Sequence, residues 1–255
     1  MSSLPTGKVL VTGAAGGIGS AISKRLRLMG VEVVGWDRAA GEEVTELVDL
    51  SDLEQVSKAV EKLLANCGEH VVSGVVHCAG LQTTGGVGMV ASMAWIQALN
   101  VNLRSIDLIT GRLVEFYSHT ERPISVVCVG SVHTIATSRG ALPYAVCKHA
   151  LYGWVRSAAL ELGRSRVRVN LVSPGAIDTP MLRSGLAERS GDRHELEHSV
   201  EALADRSPLS RIGLPVEVAE AVSFLLSDAS SFTTGANLVV DGGVSTLLSS
   251  EVSEW

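Results

Sequence analysis

Apolar residues fall along this chain in two alternating rhythms. Short, nearly unbroken aliphatic or β-branched runs occupy residues 8–12, 31–36, 71–77, 124–129, 167–172 and 236–240. Between them lie longer stretches whose apolar positions recur every three to four residues, the period of a helix with one buried face. In 52–65, for instance, Leu53, Val56, Val60, Leu63 and Leu64 repeat in this way. The same rhythm predicts helices over 18–29, 95–116, 143–162 and 215–226, the last two opened by proline, which suits a first helical turn. A shorter strand ends over 47–49. The run at 124–129 is apolar throughout, as expected of a strand covered on both faces.

Strands alternating with helices imply an α/β protein: a doubly wound parallel β-sheet of about seven strands with helices on both faces. In such sheets ligands bind beyond the carboxyl ends of the strands. Asp37, the loop starting at Gly13, Gly80 and Ser131 each follow a predicted strand. They are therefore expected along one rim, as one site.

The loop reads Thr12-Gly13-Ala14-Ala15-Gly16-Gly17-Ile18-Gly19, between a strand and a helix. Glycine lets backbone turn tightly and approach a pyrophosphate closely. The helix start offers free N–H groups and partial positive charge. Asp37 ends the second strand, roughly 20 residues on, where an acidic group bonds the adenosine ribose. A carboxylate there repels a 2′-phosphate, which favours NAD over NADP, although the adjacent Arg38 offers a phosphate a partner. Asp49 either approaches the adenine edge or caps the helix starting near Asp52.

Tyr144 and Lys148 stand one helical turn apart, on one face. A free tyrosine, with a pKa of about 10, is a poor base, and a neighbouring positive charge favours phenolate. Ser131 can donate a hydrogen bond to the oxygen of an alcohol or carbonyl. Taken singly, each has an ordinary role: a turn donor, a surface aromatic, a solvated charge.

Composition narrows the field. The 255 residues carry a formal net charge of -6, and only 4% are aromatic, unlike a nucleic-acid binder with its basic or base-stacking surface. No apolar run reaches membrane-span length, and the opening 1–7 has no secretory pattern. Cys67, Cys78, Cys128 and Cys147 show no paired spacing and read as reduced thiols of a cytoplasmic protein.

Together the glycine loop, Asp37, Ser131, Tyr144 and Lys148 resemble the short-chain dehydrogenase/reductase family in its single-domain branch. The resemblance covers nearly the whole chain. His77-Cys78-Ala79-Gly80 is similar to the family's Asn-Asn-Ala-Gly turn, with the first two residues replaced. Val101-Asn102-Leu103 resembles the stretch with the catalytic asparagine, and Gly130-Ser131 a pair that is usually Ser-Ser. Asn170 to Gly175, with Pro174 and Gly175, resembles the nicotinamide-side loop. Ile177 is expected to offer backbone groups to the carboxamide and Thr179 a cofactor contact.

The resemblance implies one Rossmann-type domain over 1–255, with a variable substrate lid near 179–206. It implies hydride transfer between NAD and a secondary alcohol or ketone. Tyr144 acts as general acid/base, Ser131 holds the reacting oxygen, Lys148 supports the tyrosine and Asn102 holds a water. The cofactor contacts it implies are Gly13, Gly17, Ile18, Gly19, Asp37, Asp49, Ala79, Gly80, Tyr144, Lys148, Pro174, Gly175, Ile177 and Thr179.

Other readings compete: an NADP-dependent ketoreductase, a catalytically silent dinucleotide sensor, or a nucleotide-sugar epimerase, a branch that is generally longer. His194 and His198 match a His-Glu-x-x-His zinc pattern, but in a charge-rich segment that reads as lid, and no metal is expected. Met89, Val90, Met93, Met181 and Leu182 are candidates for an apolar substrate wall, and His133 for its edge. The interval from Asp37 to Asp49 has room for little more than a loop, as in some aromatic dihydrodiol dehydrogenases. The apolar tail, with Leu247, Leu248 and Trp255, and the family habit point to a homotetramer.

Overall fold

The computed structural model describes residues 7–66, 71–119, 122–187 and 193–247. Its strands are β1 (Lys8–Thr12), β2 (Glu32–Asp37), β3 (Glu46–Leu47), β4 (Val72–His77), β5 (Ile124–Val129), β6 (Val167–Pro174) and β7 (Asn237–Val240). Its helices are α1 (Gly17–Leu28), α2 (Leu53–Ala65), α3 (Ser92–Leu99), α4 (Ser105–Phe116), α5 (Leu142–Leu162), α6 (Pro180–Ala187), α7 (Arg193–Asp205) and α8 (Pro215–Leu226). The strands form one seven-stranded sheet in the order β3-β2-β1-β4-β5-β6-β7, every pair parallel. Strand order reverses between β1 and β4, which opens a crevice at their carboxyl ends.

Register fixes the rim. Thr12 lies opposite both Trp36 and His77, His77 opposite Cys128, and Val129 opposite Val172. Successive side chains leave the sheet on opposite faces. Leu10, Val75, Val126 and Leu171 enter one layer with Ile106, Ile109, Leu151 and Val155. Val9, Val11, Val76 and Val127 enter the other with Ile22, Leu26, Val218 and Val222. Each such buried aliphatic contributes about 1.5–3 kcal/mol. The two layers explain the unbroken apolar runs in the central strands.

Several predicted boundaries shift, most by one or two residues, and three of the shifts bear on the fold. The third strand is Glu46–Leu47 rather than 47–49, because its partners are Trp36 and Asp37 at the very end of β2. The last strand begins at Asn237. The helix expected over 95–116 starts earlier, at Ser92, and is divided by a π-helical turn, Asn100–Arg104. Side chains support that turn. Asn102 Nδ2 donates to the Ala98 carbonyl at 2.9 Å, the acceptor a regular α-helix assigns to the backbone N–H of residue 102. Ser105 Oγ likewise takes the Val101 carbonyl at 3.0 Å.

Arg168, inside β6, donates to the carbonyls of Leu225, Leu226 and Ser227 at 2.9–3.3 Å. It caps the carboxyl end of α8, where a cation opposes the helix dipole.

Candidate active site

The β1–α1 loop needs its glycines for lack of room. A Cβ on Gly13 (φ 71°) would stand 2.7 Å from the Ala79 nitrogen, and one on Gly19 would stand 2.0 Å from the Gly13 carbonyl oxygen. A Cβ on Gly17 would stand 2.9 Å from Thr179 Cγ2, so the loop and the β6–α6 segment face each other closely. The first intrahelical bond of α1 runs from Ser20 N–H to Gly16 O at 2.8 Å. The N–H groups of Gly17, Ile18 and Gly19 are left unspent at the helix start, a ready anion site.

Asp37 ties this loop to β2. One carboxylate oxygen accepts from Ala15 N–H and the other from Ala39 N–H, both at 3.0 Å. Asp49 accepts from Ser51 N–H at 2.9 Å. It is not the cap of α2: that role falls to Asp52, whose Oδ1 accepts from Glu54 and Gln55 N–H at 3.0 and 3.1 Å. Asp49 instead lines a hollow of about 440 Å³ with Arg38, Ala39, Leu47, Val48 and Gln55.

On the other side of the crevice, α5 carries Tyr144 and Lys148. Lys148 is only 3% exposed, and its Nζ donates to the Val129 carbonyl at 3.1 Å. That nitrogen lies 5.5 Å from the Tyr144 ring centre. Asn102, fully buried, donates to Leu81 O and Ala98 O at 3.1 and 2.9 Å, which leaves its Oδ1 without a partner. A Cβ on Gly80 would stand 3.4 Å from that oxygen and 3.5 Å from Lys148 Nζ. Gly80 therefore leaves space between an unpaired buried acceptor and a buried ammonium, and the acceptor calls for a water or ligand donor.

His77 ends β4 and is fully buried. Its Nδ1 lies 3.1 Å from Thr12 Oγ1, which also accepts from Ala79 N–H at 3.2 Å. Thr12 thus links the glycine loop to the turn after β4. Burial, followed by the Lys148 charge, pushes the His77 pKa down to about 3, so the ring is neutral.

Ser131 leaves β5 in extended conformation, and its oxygen accepts from His133 N–H at 3.2 Å. The His133 ring stands edge-on to Tyr144, centroids 5.5 Å apart. Pro174 and Gly175 end β6 against Val240 and Asp241. Beyond them a bridge to Gly213 uses Asp178 N–H and Ala176 C=O, each at 2.9 Å, and so leaves out the N–H and C=O of Ile177. Thr179 Oγ1 accepts from Leu182 N–H at 3.2 Å at the start of α6.

Of the wall candidates, Met89, Met93 and Met181 are exposed. Gly185 of α6 faces Gln82 across the crevice. In α7 the His194 and His198 rings lie 6.5 Å apart, and His198 Nδ1 lies 3.5 Å from Glu201. Among the described residues no three His, Cys, Asp or Glu gather in a metal-binding group. None of the described helices is long and apolar enough to cross a membrane.

A parallel sheet with its crevice at the β1/β4 reversal, a glycine-lined helix start and a Tyr–Lys pair define a dinucleotide-dependent oxidoreductase. Residues 13–245 match the family model described as enoyl-(acyl carrier protein) reductase. The chain belongs to the short-chain dehydrogenase/reductase family and is an NAD(P)-dependent oxidoreductase acting on alcohol or ketone groups. It is 33% identical to a 3-oxoacyl-[acyl-carrier-protein] reductase of Thermotoga maritima, over 93% of this chain and 98% of that one. It is equally 33% identical to the 2,3-dihydro-2,3-dihydroxybenzoate dehydrogenase of Escherichia coli, over 92% and 95%. The ligand-free aldohexose dehydrogenase of Thermoplasma acidophilum superposes with a TM-score of 0.89 at 31% identity, covering 97% of each chain.

Proposed function

We propose that this enzyme interconverts a secondary alcohol and a ketone with NAD, using Asn102, Ser131, Tyr144 and Lys148. The observation that carries this is the unpaired, fully buried Oδ1 of Asn102, separated from the buried Lys148 ammonium only by the space a Gly80 side chain would fill. A water held there links the lysine to solvent. The residues present fit a dinucleotide: unspent N–H groups at α1, Asp37 at the end of β2, and free backbone groups at Ile177. When bound, the nicotinamide supplies or accepts the hydride.

In oxidation Tyr144, as phenolate, takes the hydroxyl proton; in reduction its phenol protonates the carbonyl oxygen. Ser131 donates to that oxygen and stabilises the charge developing on it. Lys148 supplies the positive charge that favours phenolate, and it also holds the nicotinamide ribose. Gly13, Gly17, Ile18 and Gly19 hold the pyrophosphate, Asp37 the adenosine ribose, Asp49 the adenine edge, Ala79 and Gly80 the middle of the dinucleotide. Pro174, Gly175, Ile177 and Thr179 hold the carboxamide side. Following reduced-nicotinamide absorbance with NAD and NADP against a panel of alcohols tests the reading. Turnover lost in Tyr144→Phe supports it, and full activity in that variant refutes it.

A second cofactor reading, NADP, is favoured by Arg38, which lines the adenosine-side hollow next to Asp37. For the substrate, the methionines of 81–93 and α6 support a hydrophobic substituent beside a polar oxygen site. Residues 179–206 serve as its lid within a single domain, 1–255.

We further propose a cytoplasmic homotetramer. Cys78, Cys128 and Cys147 are free thiols. Phe116, Val146 and Leu160 on α4 and α5 are exposed, as are Phe224, Phe232 and Leu238 near α8 and β7. Covering both sets takes two interfaces, as dihedral symmetry supplies. Light scattering that returns a monomer at micromolar concentration rules this out. Of the tail 244–255, read from sequence as interface-forming, residues 248–255 lie outside the described residues, as does Cys67.

A further inference from the structure

Two groups of one residue converge on the Ser131 hydroxyl. His133 N–H donates to Oγ at 3.2 Å, and ring Nδ1 of the same residue also lies 3.2 Å away. The far ring nitrogen, Nε2, lies 3.1 Å from Ser138 Oγ. The three side chains connect as Ser138–His133–Ser131, with the His133 ring packed T-shaped against Tyr144 at 5.5 Å between centroids.

A hydroxyl has two lone pairs and one proton. The backbone N–H of His133 fills one lone pair of Ser131. If Nδ1 accepts the serine proton, none is left for a substrate oxygen. If Nδ1–H donates instead, both lone pairs are filled, and the serine proton has only the open side of the crevice to point to. Ser138 can select between these states, because a hydroxyl donating to Nε2 makes that nitrogen the acceptor and leaves the ring proton on Nδ1.

We propose that His133 is a positioning residue whose Nδ1–H tautomer, anchored by Ser138, turns Ser131 into an obligate donor toward the substrate oxygen. This rests on the oxidoreductase reading given above and adds to it a residue outside the Asn–Ser–Tyr–Lys set. Burial, then the nearby His149, lowers the His133 pKa, which favours the neutral ring and with it the acceptor that Ser138 needs.

Two measurements test it. Nitrogen-15 NMR of the full chain with labelled histidine, the His133 signal assigned by its loss in His133→Asn, should show the proton on Nδ1. This is the reverse of the preference of a free histidine side chain, and a proton on Nε2 overturns the proposal. In kinetics, His133→Leu should lower kcat about tenfold while the KM for cofactor stays within about twofold, a fraction of the loss caused by removing a whole oxyanion donor. His133→Asn, whose amide can present an N–H in place of Nδ1, should restore most of kcat. In a Ser131→Ala background the His133→Leu effect should vanish, since a positioning residue has nothing left to position. Equal losses in both backgrounds overturn the proposal. Wild-type turnover that Tyr144→Phe abolishes upholds the oxidoreductase reading independently, so failed coupling sinks only the role of His133; a wild type without turnover sinks both.

Discussion

The two ends of the crevice are built differently. At the reacting end Lys148 and Asn102 are buried, and each is held to backbone by its own side-chain bonds. At the adenosine end Asp37 closes β2 half-buried, and Arg38 and Asp49 border an open hollow. Buried polar groups are costly to leave unmatched, so the reacting end tolerates little change. Exposed groups can be exchanged at small cost. Chemistry should therefore be set by the rigid end, and cofactor choice by the adjustable one.

The largest test of that contrast is Tyr144→Phe, which should lower kcat by about 10²–10⁴-fold with nearly unchanged cofactor affinity, read by steady-state absorbance and equilibrium titration. Loss of both together would mean that the rigid end also governs binding of the dinucleotide.

Acid stability tests the burial itself. With a pKa of about 3 against an ordinary 6.5, folded His77 stays neutral while the unfolded chain takes up a proton. Stability is full above pH 6.5 and falls by about 1.4 kcal/mol per pH unit below it, down toward pH 3. In His77→Asn, denaturant unfolding should show a shallower slope in this window; an unchanged slope would mean that His77 is not sealed from water.

Asp37→Ala should lower the preference for NAD over NADP by about tenfold, with activity on the better cofactor retained, since one carboxylate–ribose contact is worth roughly 1–2 kcal/mol. Asp49→Ala should change cofactor affinity by less than about threefold, because a single half-buried contact at the adenine edge contributes little. A larger effect at Asp49 than at Asp37 would reverse the assignment of the adenosine end.

Much of this was legible along the chain. The apolar rhythm located the central strands, because a strand buried on both faces leaves little room for polar residues, whereas the edge strands β3 and β7 are only partly buried. Tyr144 and Lys148 announced themselves by helical spacing, and the loop at Gly13 by its glycines. The π-helical turn at Asn100–Arg104 was not legible. Its residues continue a helical rhythm, and the only hint is an asparagine at a position that turns out to be fully buried. Arg168 was equally silent: a charge in a strand reads as a surface residue until the end of α8 is seen against it. The part played by Asp49 was open between the adenine edge and a helix cap, because it stands just before α2; the structure gives the cap to Asp52.

By itself the sequence determined the α/β layering, the gathering of the functional loops along one rim, and the residue types able to move a proton and cradle a dinucleotide. These follow from local periodicity and from short-range steric rules at glycine and proline, which act within a few residues. Only the tertiary structure decided that Gly80 opens a gap between Asn102 and Lys148, that Thr12 fastens His77 to the glycine loop, and that His133 lies between Ser131 and Ser138. The first two depend on how strands and helices far apart in the chain are packed together, and the third on the shape the 131–138 loop takes beyond the end of β5, which no periodicity encodes.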